Sequence, residues 1–359
     1  MAIGYVSRRN LLHAAGAIAA ASAPLSAGLS ASGCKKEPSE GNSEVKVEKA
    51  TRLTLKLSSS LPDDPKFASG RVTYDALVKQ LNAMKLDDRI AVQFFPSNQL
   101  GQEADVVNQV KLGAVDLMVS GSSIWANLVP SFGVLDLLYV FQNFEHQTRA
   151  LDAGAGALLE DLLFKSARVR VAGWSYNFGA RSILARSAFS DPKGLAGKKI
   201  RTLPNPYITE GVKLMGAAAT PMAFGEIYTA LQAGVLDGME HDPPTILSAK
   251  FYETAKFYTL TEHLYAPIVL TMSDVTYQKM QPDLRDGFMA AAKAASLDVR
   301  AYGLGVVKEA IDTLKSRGVT VTEVDKEPFR KRVQPLVEKY MHDHPEVQLV
   351  MDKAQANRG

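Results

Sequence analysis

Cysteine is almost missing from this chain. The 359 residues contain one, Cys34, so no disulfide framework can support the fold. Charge of one sign is equally scarce, with 41 lysines and arginines against 38 aspartates and glutamates, a formal net charge of +3. Arg8 and Arg9 fall in a segment expected to be removed, and without them 39 basic residues face 38 acidic ones. A nearly neutral chain has no electrostatic footprint for nucleic acid. No phosphate-cradling glycine loop with a lysine occurs. Ser120-Gly-Ser-Ser123 is not a nucleophile elbow, and no His and Asp are placed by sequence to serve it. His342-Asp-His344 has no accompanying ligand cluster, so neither a metal nor a cofactor is read. A long apolar run is lacking too, because His13 and Pro24 interrupt the alanine-rich stretch that ends near Ala31. What remains is a globular composition, 46% hydrophobic and 22% charged, in a chain long enough for two domains with real cores.

The amino terminus states a compartment. Ser7-Arg8-Arg9-Asn10-Leu11-Leu12 is a twin-arginine export pattern, and residues 1–34 read as its signal peptide. Ala31-Ser32-Gly33-Cys34 resembles a bacterial lipobox, in which Cys34 becomes the lipidated first residue, although Ala31 stands where leucine is preferred. Residues 35–50 are charged and rich in Glu and Ser, as a flexible tether would be. The other reading is a plain signal peptide and a freely soluble protein. Both place the folded part in the periplasm, membrane contact being limited to a lipid anchor.

From Arg52 onward strands and helices alternate. Leu53, Leu55 and Leu57 mark a strand, 67–84 a helix, 89–96 a strand stopped by proline, 103–112 a helix and 114–119 a strand. The same rhythm returns in 197–244. Residues 200–203 form a short strand ending at Pro204-Asn205-Pro206, where Asn205 is placed to cap a helix carrying Ile208, Val212 and Met215. Gly216 stops that helix, 217–222 is a second strand, Phe224-Gly-Glu226 opens a second helix, and Val235-Leu-Asp237 runs into a third strand. Glu103, Gly113 and Asp116 mark a helix start, a helix stop and a strand aspartate, as Glu226, Gly234 and Asp237 do. Such alternation predicts parallel sheets with a ligand beyond the carboxyl ends of the strands. An apolar strand at 265–272 is placed to pass between lobes, and a helical pattern from Pro282 to about Arg317 is long enough to cross both, with Gly303 and Gly305 marking a bend. A strand at 319–324 and a helix at 329–341 follow.

Several motifs taken together resemble one family. They are Phe95-Pro-Ser-Asn-Gln-Leu-Gly-Gln-Glu103, Gly113-Ala-Val-Asp116, Leu195-Ala-Gly-Lys-Lys-Ile-Arg201, Pro221-Met-Ala-Phe-Gly-Glu-Ile-Tyr-Thr-Ala-Leu-Gln-Ala-Gly234 and Asp237-Gly-Met-Glu240. Their order and spacing resemble the solute-binding proteins of tripartite ATP-independent periplasmic (TRAP) transporters, of the C4-dicarboxylate-binding type. The resemblance implies an α/β, two-lobed periplasmic binding fold with crossing hinge strands and a long helix spanning both lobes. It also implies a receptor that captures an organic acid without catalysis and passes it to a small and a large membrane subunit. On this division 51–178 and 268–305 form one lobe, 179–267 and 306–345 the other, and 346–359 a tail.

By the same resemblance Arg201 is the main carboxylate-binding arginine, Arg181 the second basic position, Phe224 the aromatic packed on ligand, and Glu103 the acid opening the helix after the Gln-Leu-Gly turn. Glu240 closes the Asp-Gly-x-Glu motif, and His241 stands where the family often has asparagine. The residues themselves leave alternatives. An arginine offers a planar fork matched to a carboxylate, yet one at a strand end can equally face solvent. Arg181 either touches ligand or pairs with Glu103 to shape the site. Phe224 is a ligand contact or a core aromatic. His241 donates to a ligand or fills space beside Asp242. Competing functions are a secreted α/β enzyme acting on a carboxylic acid, and a receptor serving an ABC transporter or a sensor kinase.

Overall fold

The computed structural model describes residues 52–175 and 178–358. The expected signal peptide, Cys34 and the tether lie outside them. In chain order the strands are β1 (Leu53–Ser58), β2 (Ile90–Phe95), β3 (Leu117–Gly121), β4 (Val169–Trp174), β5 (Arg181–Ala185), β6 (Lys199–Thr202), β7 (Ala218–Pro221), β8 (Gly238–His241), β9 (Phe257–Leu264), β10 (Ile268–Ser273) and β11 (Thr320–Glu323).

They build two sheets, one in the order β2-β1-β3-β10-β4 and the other in the order β11-β9-β5-β8-β6-β7. In each, parallel strands occupy one side (β2-β1-β3 and β7-β6-β8) and an antiparallel strand follows, β10 beside β3 and β5 beside β8. The expected parallel sheets are therefore mixed ones, because β5 and β10 each enter their sheet after a run in the other. The chain leaves the first sheet after Trp174 and returns between Leu264 and Ile268. The apolar 265–272 run is thus a short passage followed by β10. The strand before it, β9, escapes a sequence reading because Phe257-Tyr-Thr-Leu-Thr-Glu-His-Leu264 mixes polar residues into an otherwise strand-like pattern.

The recurrence of glutamate, glycine and aspartate has a physical counterpart. Asp116, just before β3, accepts a hydrogen bond from the Lys56 amide at 2.8 Å. Asp237, just before β8, accepts one from the Lys199 amide at 2.8 Å. Each carboxylate satisfies an amide on the neighbouring strand, the same local solution in both halves. The helix after each turn stops at a glycine with positive φ, +77° at Gly113 and +75° at Gly234.

Each sheet buries its own apolar face. Leu55, Leu57, Leu77, Leu117, Leu270 and Phe288 pack at the first, and Leu184, Ile227, Leu231, Met239, Tyr258 and Leu314 at the second. The helix Pro282–Ser316 runs unbroken for 35 residues, about 50 Å at 1.5 Å per residue. It packs on the helix Ser69–Ala83 and β4 at one end, and on the helix Pro243–Ser248 and β11 at the other. The expected bend at Gly303 and Gly305 does not interrupt it, since neighbours hold both flanks and helical propensity is a weak prior.

A third core joins the halves, running from Trp125, Phe132 and Leu138 to Ile208, Val212 and Phe329. Here the helix Pro206–Met215 lies so close to residues 130–138 that a methyl on Gly133 would meet the Tyr207 ring at 2.2 Å, and one on Gly211 would meet Leu138 at 2.8 Å. The 346–359 segment, expected to be a tail, instead forms the helix Gln348–Ala356 with Val350, Met351 and Ala354 buried. His146, fully buried, reaches the Ala354 carbonyl at 2.5 Å and fixes that helix to the segment beginning at Phe144.

Candidate functional site

The carboxyl ends of β1, β3, β6 and β8 meet the amino ends of β5 and β10 around one cavity. Its wall from the first sheet includes Ser60, Glu103, Ser120 and Ser123, and its wall from the second includes Arg181, Arg201, Phe224 and His241. This is the crevice beyond the strand ends where open α/β sheets take their ligands.

Arg201 is the last residue but one of β6 and is fully buried. Its Nε donates to the Met222 carbonyl at 2.9 Å, which fixes the plane of the guanidinium. Both terminal nitrogens are buried and have no hydrogen-bond partner among the described residues. Burial lowers its pKa to about 10, with Arg181 adding to the effect and Glu240 and Glu103 opposing it. The group is still a cation at neutral pH, and an uncompensated buried charge is strongly unfavourable. Two free N–H donors side by side are the half of a bidentate pair that a carboxylate completes.

Arg181, at the start of β5, is compensated from within the protein. Its Nη2 donates to Glu240 Oε1 at 2.7 Å and to the Glu240 carbonyl at 3.1 Å, and its Nε meets Glu240 Oε2. The partner considered from sequence was Glu103, and the structure replaces it with Glu240. The reason is the antiparallel register of β5 and β8, which pairs Ile183 with Glu240 and so sets Arg181 one diagonal away, within reach of a long side chain. Burial works against charge on both partners, yet attraction wins on both. The Arg181 pKa is raised, and that of Glu240 is held well below the usual carboxylate range. Glu240 is fully buried behind Arg181. It also accepts from the Leu203 amide at 3.3 Å and faces His263 Nε2 at 3.7 Å. It shapes the arginine and does not reach the cavity wall.

His241 Nδ1 lies 2.7 Å from Asp242 Oδ2, and its Nε2 lies 3.4 Å from Arg181 Nη1. Asp242 is a carboxylate, its pKa lowered despite burial by His241 and by the amide of Thr245. The Asp242 amide also lies 3.1 Å from Nδ1, and when Nδ1 donates to Asp242 the one lone pair of Nε2 accepts from Arg181 Nη1, so the ring meets the cavity as part of its wall. Burial, with help from Arg181, lowers the pKa of His241. Asp242 also caps the helix Pro243–Ser248 through the Thr245 amide at 2.9 Å. Phe224 lies edge-on to His241, ring centroids 5.8 Å apart, and to Phe251 at 5.5 Å, so it is both a cavity wall and the rim of a core. Glu103 opens its helix, accepts from the Ser60 hydroxyl at 2.9 Å, and has its pKa raised chiefly by burial.

Of the six sequence candidates, five line the cavity and Glu240 stands behind it. The wall residues Ser60, Ser69, Ser120, Ser123 and Thr245 were not singled out as contacts. The available signal was positional, since Ser60 lies just past the end of β1 and Ser120 lies at the carboxyl end of β3. Among the described residues no cluster of three or more His, Cys, Asp or Glu side chains is arranged to hold a metal ion.

Residues 69–343 match the family described as DctP, bacterial extracellular solute-binding protein, family 7. The 2,3-diketo-L-gulonate-binding periplasmic protein YiaO of Escherichia coli is 30% identical over 242 residues, covering 67% of this chain and 73% of that protein. Among solved structures, a TRAP periplasmic solute binding protein from Roseobacter denitrificans with bound β-D-glucuronate superposes with a TM-score of 0.79 at 26% identity, covering 84% of this chain and 99% of that one. A TRAP periplasmic solute binding protein from Polaromonas sp JS666 bound to D-erythronate gives a TM-score of 0.78 at 30% identity, covering 84% and 98%.

The pairing behind the cavity generates a stability prediction. Glu240→Gln leaves Arg181 buried without its counter-charge and should lower unfolding free energy by about 3–5 kcal/mol, read from urea denaturation midpoints. The folded pKa of Glu240 is depressed, so its contribution is present above its unfolded value and is lost only as pH falls through the folded one. The gap between the proteins should therefore stay constant across neutral pH. A loss under about 1 kcal/mol, as for an exposed pair, would contradict the assignment.

Proposed function

The chain belongs to the bacterial extracellular solute-binding proteins of family 7, receptors of TRAP transporters, and from that premise we propose that it captures a hydroxylated monocarboxylate of the sugar-acid class on Arg201. The observation that carries this reading is the contrast between the two buried arginines. Arg181 is neutralised by Glu240, while Arg201 keeps both terminal nitrogens free at the cavity. One uncompensated positive charge matches one carboxylate. A second carboxylate on the ligand would face Glu103 or Asp242 and meet like charge.

The remaining wall suits hydroxyl groups. Ser69 and Ser120 offer O–H groups that donate or accept, while Ser60, Ser123 and Thr245, whose protons go to Glu103, Asp136 and Asp242, offer oxygens that accept, as Glu103 does. His241, where the family often has asparagine, then reads as a ring held between Asp242 and Arg181 that shapes the cavity wall. The names and bound ligands of the relatives, 2,3-diketo-L-gulonate, β-D-glucuronate and D-erythronate, all describe carboxylates rich in oxygen. Capture proceeds by closure of 51–178 with 268–305 onto 179–267 with 306–345, without turnover, and the loaded form is handed to the small and large membrane subunits. The family is extracytoplasmic. For this chain we read twin-arginine export of residues 1–34 and lipidation at Cys34, supported by Arg8-Arg9 and the lipobox-like Ala31-Ser32-Gly33.

Three measurements test this reading. In a thermal-shift screen of organic acids, a sugar acid at a hundred times its Kd should add about 2.7 kcal/mol of stability, and Arg201→Ala should weaken its binding by about 2–5 kcal/mol, or thirtyfold to several thousandfold. Stronger binding of a dicarboxylate than of the matching monocarboxylate would overturn the charge argument. Because the pKa of His241 is lowered and the ring is neutral, affinity should be flat between about pH 6.5 and pH 8, whereas a protonated ring aiding the anion would make binding weaken as pH rises. Metabolic labelling with a fatty acid should mark the exported protein, and Cys34→Ala should abolish the label, while unlabelled wild type would leave a plain signal peptide.

A further inference from the structure

Asn205 does more than start a helix. Its Oδ1 accepts from the amides of Tyr207 at 2.9 Å and Ile208 at 3.1 Å, which is the capping role its place after β6 suggests. Its amide nitrogen is spent elsewhere. Nδ2 donates to the Ser123 carbonyl and to Asp136 Oδ2, both at 2.8 Å. Ser123 Oγ lies 2.5 Å from the other oxygen of Asp136. Asn205, Ser123 and Asp136 are buried to 2% exposure or less.

These bonds join the two halves of the molecule. Asn205 follows β6 of the second sheet, four residues beyond Arg201, and caps a helix packed on β6 and β7. Ser123 and Asp136 lie on the connection after β3 of the first sheet, and Ser123 lines the cavity. A helix cap needs only an acceptor, which serine or aspartate supplies as well. The amide N–H groups are what asparagine adds, and both are used across the junction. Asp136 has no cation in contact. Arg181 and Glu240 act on it through space, Tyr207 and Tyr340 are the phenols nearest it, and burial raises its pKa to about 7.

We propose that Asn205 is a positioning residue, clamping the Arg201 end of β6 to the Ser123 wall through Ser123 and Asp136 so that the anion-binding fork and the hydroxyl wall keep a fixed separation. The inference rests on Arg201 being the carboxylate anchor. It also gives Asp136 a purpose, since a buried carboxylate that accepts two hydrogen bonds is a good rigid acceptor and a poor ligand for an anion.

The variants Asn205→Asp, Asp136→Asn and their combination test it. Asn205→Asp keeps the cap and the shape but turns both donors into an acceptor facing Asp136. Two carboxylates so close cannot both ionise without penalty, so the defect grows as pH rises. Asp136→Asn alone preserves the geometry, its oxygen accepting from Asn205 and its amide donating to Ser123. In the combination the donor and acceptor exchange places.

With D-glucuronate and D-erythronate as probes, Asn205→Asp should bind more weakly than wild type already near pH 6, where the Ser123 carbonyl has lost its donor, and at least about tenfold more weakly still near pH 8, and the double variant should recover the part of the loss that grows with pH. In the absence of ligand the melting temperature of Asn205→Asp should fall relative to the double variant over the same range. Asn205→Asp binding as wild type throughout, or a double variant no better than the single one, would overturn the clamp. Wild type that binds neither probe nor any other acid would count against the function reading, and a ligand-free melting profile that does not change with pH would then overturn the clamp independently.

Discussion

One buried cation without a partner governs this molecule. A guanidinium taken out of water at Arg201 is tolerated only because the surrounding fold is stable enough to hold it there. Its Nε–H to the Met222 carbonyl sets its orientation, and the rest of its hydrogen-bonding capacity faces the cavity. Everything near it prevents the protein from neutralising it internally. Glu240, the nearest candidate counter-ion, is bound by Arg181, the Leu203 amide and the neighbourhood of His263. Glu103 is turned to Ser60. On the proposed reading, selectivity for an anion depends as much on keeping carboxylates occupied as on supplying an arginine.

The two arginines show how identical side chains acquire different roles from sheet geometry. Arg181 sits on the antiparallel strand β5, one diagonal from Glu240 on β8, and is paired before any ligand arrives. Arg201 sits on β6, which runs parallel to β8 and pairs with it through Ile200 and Gly238, and Arg201 and Met239. The residue beside it is therefore a methionine, which offers no charge. A change of strand direction by one place in the sheet order separates a structural cation from a free one.

Much of this was legible in sequence where local rules act. Pro204-Asn205-Pro206 announced a turn and a cap, the 35-residue helix followed from its apolar spacing, and the recurrence of Asp116 as Asp237 marked the same aspartate-to-amide hydrogen bond in each half. Position at the carboxyl end of a strand put Arg201 and His241 at the cavity. What stayed hidden depends on register and on distant packing. The choice of Glu240 over Glu103 as partner of Arg181 is decided by how β5 meets β8. Asp136 lies in a stretch without periodicity, and its meaning comes only from Asn205, sixty-nine residues away in sequence. The last helix looked like a polar tail because only Val350, Met351 and Ala354 of its residues are apolar and buried, too few to signal on their own.

The first sheet needs β10 between β3 and β4, and β10 begins at Ile268. That sheet cannot be completed during synthesis until about three quarters of the polypeptide exists, and the helix Gln348–Ala356, which packs on the segments Phe144–Ala150 and Leu151–Ala155, is made later still. Neither half is a segment that could be cut out and expected to fold alone. Pairing over such sequence distances is slow, and unpaired strand edges invite aggregation meanwhile, so the nascent chain carries an unfinished first sheet until β10 has been made.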